Sequence, residues 1–409
     1  MRRVTLIQSY THPKRPKLQQ ILMLLIVFVS LYASQTAAEN TTGITDSEIR
    51  IGQSCALTGP AMAMGKGMHD GAQTYFAHIN SMGGIHGKKI RLITLDDGYK
   101  PEVCKKNTKA LIENKNVFLL FGYVGTPTTK AVLPLVQTSK IPFFAPATGA
   151  TLLRTPMIPN VFNIRASYAQ ETAFMVQRLI SDKGITKIAV FYQNDAFGID
   201  GLNGVQKAAS ENGISVIADA SYERTAPVVD TAVSQLMKAS PEAVILVGSA
   251  EPCAALISGM RDAGSKALFL TVSFVGGDAL ASQLSNKGLG VVVTQVTPFP
   301  FYRHPVLVEY NLLTLELTPD SPPTSSGTEG FIAAKALCKI LMETPAPLTR
   351  EAFMATAETQ LDADIGGFSF SFSPERHQGS DRVYMTQLGP GGFLTPINHL
   401  GQLYRHYAQ

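Results

Sequence analysis

Short β-branched runs alternate with longer amphipathic stretches along most of this 409-residue chain, the pattern of a parallel sheet covered by helices on both faces. Residues 49–53 read as a first strand. Residues 66–80 read as a helix carrying Met68, Ala72, Tyr75, Phe76 and Ile79 at helical spacing, stopped by Gly83-Gly84. A strand over 89–95 runs into the turn signal Asp96-Asp97-Gly98, and Pro101 opens the next helix. Strands at 117–121 and 141–144, with a helix from Pro127 between them, complete a first series. A second series begins near Tyr168, with strands at 187–192, 214–218, 243–247 and 267–271 separated by helices.

The fold class is therefore α/β, with two doubly wound, Rossmann-like lobes joined by a multi-strand hinge. No Gly/Ser-rich or charged linker separates the series, so the lobes are tightly connected. Pro298, Pro300 and Pro305 mark a return of the chain to the first lobe, followed by helical stretches up to about residue 360. Phe368, Phe370 and Phe372 at period two read as late strands, with 374–381 as a hairpin loop. The expected division is 39–163 with 298–362 for the first lobe, and 164–297 with 363–409 for the second.

The first 38 residues have another character. A basic stretch, nine consecutive apolar residues from Ile21 to Val29, and small residues ending in Ala37-Ala38 read as a secretory signal peptide cleaved near Ala38. The apolar run is short of the roughly 20 residues that span a bilayer. Removing the five basic residues of this leader (Arg2, Arg3, Lys14, Arg15, Lys17) turns the net charge from +4 to −1. Such a remainder has no cationic excess with which to neutralise phosphates, so a nucleic-acid partner is not expected. The four cysteines match no metal motif. Cys55 with Cys104, and Cys253 with Cys338, are open pairings beside four free thiols. Neither a dinucleotide glycine pattern, a Walker loop, a G-x-S-x-G elbow nor a His-Glu-x-x-His pair occurs. No catalytic residue, cofactor or metal is expected.

The chemistry that is present lies in Gly122-Tyr-Val-Gly-Thr126-Pro-Thr-Thr129, where a strand ends and a helix begins. Thr126 suits the N-cap and Pro127 the first helical position. Free amides at Thr128 and Thr129, neighbouring hydroxyls and the positive end of the helix dipole make a site for a small carboxylate. The following loop, Ala145-Pro-Ala147-Thr148-Gly149, brings a second hydroxyl to the same sheet edge, where ligands of open α/β sheets bind.

These segments resemble the leucine/isoleucine/valine-binding family of exported solute receptors that serve ABC transporters. The likeness rests on Leu57-Thr-Gly-Pro60, Asn80-Ser-Met-Gly-Gly-Ile-His-Gly-Lys-Lys-Ile90, Asp96-Asp97, Gly122 to Thr129, Ala145 to Gly149, Asn163-Ile-Arg165 and Asp195-Ala-Phe-Gly198, and covers nearly all of the chain after the leader. It implies a type I two-lobed periplasmic-binding fold and an ABC permease as partner, with a small carboxylate, an amino acid or related organic acid, as ligand. It implies that Thr126, Ala147, Thr148 and Gly149 hold the carboxylate, Tyr99 adds a wall, Tyr168 lies near the hinge and Phe197 covers the ligand. Amino-acid-binding relatives place an acid where this chain has Ser273 and Phe274. Either Glu251, Asp195 or Asp278 compensates for it, or the ligand lacks an amino group. A chemoreceptor or sensor kinase as partner, and an exported hydrolase, are the rival readings; a monomer is expected.

Overall fold

In the computed structural model the described residues are 42–300, 303–317 and 322–404. The expected signal peptide lies outside them. The first sheet has five parallel strands in the order β2-β1-β3-β4-β5: β1 Glu48–Cys55, β2 Lys89–Asp96, β3 Leu119–Phe121, β4 Phe143–Phe144 and β5 Val161–Phe162. Around it run α1 Met62–Ser81, α2 Pro101–Glu113, α3 Thr126–Ser139 and, after the chain returns, α9 Pro305–Leu317, α10 Ser325–Glu343 and α11 Arg350–Ala357. The second sheet has the order β14-β13-β10-β9-β8-β6-β7. Its strands are β6 Ile188–Gln193, β7 Val216–Tyr222, β8 Ala243–Val247, β9 Leu268–Thr271, β10 Val292–Gln295, β13 Tyr384–Leu388 and β14 Leu394–Ile397; only the last two run antiparallel to their neighbours. Its helices are α4 Tyr168–Lys183, α5 Ala196–Glu211, α6 Asp230–Ala239, α7 Ala250–Asp262 and α8 Gly277–Leu284.

Helices α1 and α10 pack so closely that a Cβ on Gly71 would stand 1.9 Å from the Gly327 carbonyl oxygen, and one on Gly330 would stand 2.4 Å from that of Met68. Only hydrogen fits there, which fixes how the start of each helix meets the cleft between the lobes. The first lobe's main core is aromatic, with Phe76 against Phe121 and Phe162 against Phe353 and Phe372.

The short strands β11 (Ala363–Asp364) and β12 (Ser369–Phe370) pair with each other, and Ala363, Ile365, Phe368, Phe370 and Phe372 are buried in that first core. The sequence boundary at 362 had put this segment in the second lobe. Period-two aromatics show that a face is buried but not which sheet buries it, and the chain recrosses only between Phe372 and Tyr384. Among the described elements the chain thus passes between lobes at 163–167, between β10 and α9, and in the stretch before β13. The first and third are tied together, since Asn163 N–H donates to His377 O (2.8 Å) and Gly379 N–H to Asn163 O (2.7 Å). All four cysteines are buried free thiols. Cys253 and Cys338 sit in the cores of different lobes, which removes that pairing.

Candidate functional site: the cleft between the lobes

The two turns singled out in the sequence adjoin. A bridge between Val124 and Ala147 prolongs the β3–β4 pairing past the sheet edge, with Ala147 N–H donating to Tyr123 O at 2.7 Å. The helix cap is Gly125, at φ +94, and α3 begins at Thr126 itself. A side chain at the cap is excluded twice over: the backbone is left-handed, and a Cβ would meet Tyr99 Cε2 at 2.2 Å. Thr126 is therefore not the N-cap, and its hydroxyl is free to face across the turn. It lies 2.7 Å from the hydroxyl of Thr148, and both residues have no exposed surface. The expected free amide at Thr129 is instead bonded to Gly125 O at 3.1 Å. The Thr128 and Thr129 hydroxyls turn back onto the carbonyls of Val124 and Gly125, as threonines in a first helical turn readily do.

Gly149 completes the cradle by omission. A Cβ there would stand 2.5 Å from Tyr168 N and 2.7 Å from its ring, so the glycine admits Tyr168. The Tyr168 hydroxyl accepts from Thr148 Oγ1 at 3.3 Å. Burial pushes this phenol up to about 12, so it keeps its proton near neutrality and remains a donor. Two threonine hydroxyls, a phenol and the positive end of a 14-residue helix therefore converge on one buried point.

Around the cradle stand rings. Tyr99, Phe274, Phe197 and Tyr168 form a continuous arc with successive centroids 5.9, 4.8 and 5.1 Å apart. All four are buried, in one cluster with Met64, Val124 and Ala147. The lobes are in contact. Arg224 donates to Tyr99 O at 3.0 Å and lies over its ring, Gln193 donates to the Tyr99 hydroxyl, and Thr151 N–H donates to Asp200.

Beside the arc is a cluster that sequence reasoning missed. Arg165, in the first crossover and 1% exposed, pairs with Glu171 of α4 at 3.1 Å and Glu329 of α10 at 3.4 Å, and donates to Ser273 Oγ. Glu171 also accepts from Ser273 N–H at 2.7 Å and from the Thr294 hydroxyl. Burial opposes the charge of Arg165, but Glu329 and Glu171 outweigh it and raise the guanidinium above its ordinary range. Burial raises the Glu329 carboxyl, with Arg165 pulling the other way. The signal in the sequence was the triplet Asn163-Ile-Arg165, a charge in an otherwise uncharged crossover; Glu329 and Ser273, far away in the chain, gave none.

Nine of the ten expected site residues are buried: Tyr99, Thr126, Ala147, Thr148, Gly149, Tyr168, Phe197, Ser273 and Phe274. Glu251 is not among them. It is exposed in the first turn of α7, where it complements the helix dipole. Asp195 caps α5 by accepting from Phe197 N–H at 2.9 Å and is paired with Arg224. Asp278 stands in the first turn of α8, on the wall of a further cavity between the lobes.

Two parallel-sheet lobes with strand ends facing each other, three crossovers and a polar cradle under an aromatic arc define a two-lobed ligand-binding protein. The chain belongs to the periplasmic binding protein family, whose sequence pattern matches residues 48–392, and its lobes have the type I fold of its solved structural neighbours. That is a family of solute-binding proteins, not of enzymes. A solved structure of a possible leucine/isoleucine/valine-binding protein from Rhodopirellula baltica SH 1 is 34% identical, with a TM-score of 0.83 covering 88% of this chain and 98% of its own. The Leu/Ile/Val-binding protein homolog 3 of Brucella melitensis is 27% identical over 239 residues, 58% of this chain and 62% of its own length, so the match spans less than two thirds of that relative. A branched chain amino acid ABC transporter structure from Thermus thermophilus, with bound valine, shares the fold at 17% identity and a TM-score of 0.78, covering 87% of this chain and 97% of its own.

Proposed function

We propose that this chain is an exported solute receptor that binds a small carboxylate, an amino acid or related organic acid, in the inter-lobe cleft and delivers it to an ABC permease. In this reading residues 1–38 are a leader removed near Ala38, and the mature protein works as a periplasmic monomer. The observation that carries it is the buried Thr126–Thr148 hydroxyl pair, 2.7 Å apart at the positive end of α3 with the Tyr168 phenol beside it. Such an arrangement offers donors to an anion, with the Arg154 guanidinium held behind it on the Thr148 and Ala150 carbonyls, and in closed form it excludes water, which strengthens each hydrogen bond. The Thermus thermophilus neighbour holds valine, a carboxylate, in the same fold. Nothing is chemically transformed. The ligand need only bind the closed form better than the open one, and shifting a 1:99 population to 99:1 takes about 5.5 kcal/mol of differential affinity.

The test is a thermal-shift and calorimetric screen of the mature protein against short carboxylic acids with and without amino groups. A ligand at 100 times its Kd stabilises by about 2.7 kcal/mol. The Thr126→Val/Thr148→Val double variant should lose that stabilisation while keeping its fold by circular dichroism. Equal affinity in the double variant would place the anion elsewhere.

A further inference from the structure

The cleft does not end at the aromatic arc. A cavity of about 290 Å³ opens between the lobes on the side of α1 and α10. Met64 lines it and is also packed with Tyr99, Tyr168, Phe197 and Phe274; Ser273, next to Phe274 in the chain, lines it as well. The cavity therefore shares a wall with the carboxylate cradle. Its floor is Glu329, 5% exposed, and its rim carries Lys66, Asp70 and Asp278.

The charges here do not balance. The lining carries three carboxylates, Glu329, Asp70 and Asp278, and one cation, Lys66, while Arg165 pairs with Glu329 and Arg154 acts on it from outside the lining. Ser325 Oγ, also in the cavity lining, is closed to solvent and has no partner. A group that carries positive charge would answer the imbalance of charge. Next to the cradle itself the wall is aromatic, and Ser273, beside Phe274, carries the Arg165 guanidinium rather than a free acid.

We propose that this cavity is a second subsite of the ligand site, receiving an ammonium carried at the far end of the molecule, so that the preferred ligands are ω-amino acids. The proposal rests on the carboxylate reading above and names the rest of the molecule. The carboxylate sits under Thr126 and Thr148, the methylene chain passes Met64 and the rings, and the ammonium meets Glu329 and Asp278.

The probes are γ-aminobutyrate, δ-aminovalerate and ε-aminocaproate, each against the acid lacking the amine (butyrate, valerate, caproate), against the α-amino isomer, and against adipate as a far-end anion. Calorimetry should show at least one ω-amino acid binding more than about tenfold tighter than both its unsubstituted partner and its α-amino isomer, with adipate weakest. Asp278→Asn, at the exposed rim, should narrow that ratio severalfold. Glu329→Gln should abolish it, and the rim variant keeps the test decisive if the buried one does not fold. Unsubstituted or α-amino acids binding as tightly as the ω-amino series, or an unchanged ratio in Asp278→Asn, would overturn this inference and leave the carboxylate reading standing. Failure of every acid to bind, or equal binding by Thr126→Val/Thr148→Val, would overturn both.

Discussion

The two sides of the cleft are made of unlike materials. The first lobe offers mainly turns, with the single ring of Tyr99: two glycines whose missing side chains make room, two threonine hydroxyls and a helix start. From the second come Phe197 and Phe274, with Tyr168 at the crossover. Hydrogen bonds are directional and demand a particular group, whereas rings reward any apolar surface of the right thickness. On the proposed reading the first lobe decides which functional group is held, and the second decides how well the molecule is covered once the lobes meet.

The largest effect expected from this division is in the double variant already described. Replacing both hydroxyls on the first-lobe side removes two donors to a charged acceptor, about 3 kcal/mol or more, and affinity should fall at least a hundredfold by calorimetry. If it falls no further than a ring variant does, the division is wrong. Gly149→Ala comes next. Its Cβ collides with the backbone and ring of Tyr168, so affinity should drop more than tenfold and the melting temperature should fall too. Phe197→Ala tests the other side: loss of apolar contact costs about 1.5–3 kcal/mol of affinity, and the loss should be similar for every carboxylate bound. A loss that depends on the acid would give Phe197 a selective role. Arg224→Ala removes one inter-lobe hydrogen bond to Tyr99 O, and should weaken binding only a few-fold, seen as faster dissociation in stopped-flow. Glu251→Gln should leave affinity unchanged, since that side chain is exposed and belongs to neither the cradle nor the arc.

What was legible in the sequence was local. Turn chemistry between β3 and α3 and after β4 is written in consecutive residues, and these became the cradle. The error of one residue at the cap had a tertiary cause: Tyr99, from a different turn, presses on position 125 and leaves space only for glycine. The Arg165 cluster was invisible for the same kind of reason, because Glu329 is 164 positions away and ordinary in its helix until the chain recrosses. Likewise the aromatics at 368, 370 and 372 announced burial without naming their core.

The paired crossovers have a mechanical consequence. With Asn163 laced to His377 and Gly379 by backbone hydrogen bonds, the first and third connections form a two-ply strip, stiff against shear and torsion and compliant chiefly in bending. On the proposed reading, a strip of that kind guides closure along one bending direction. Cargoes of different shape would then all bring the molecule to the same final outline, and a docking partner could recognise occupancy without sensing what is inside.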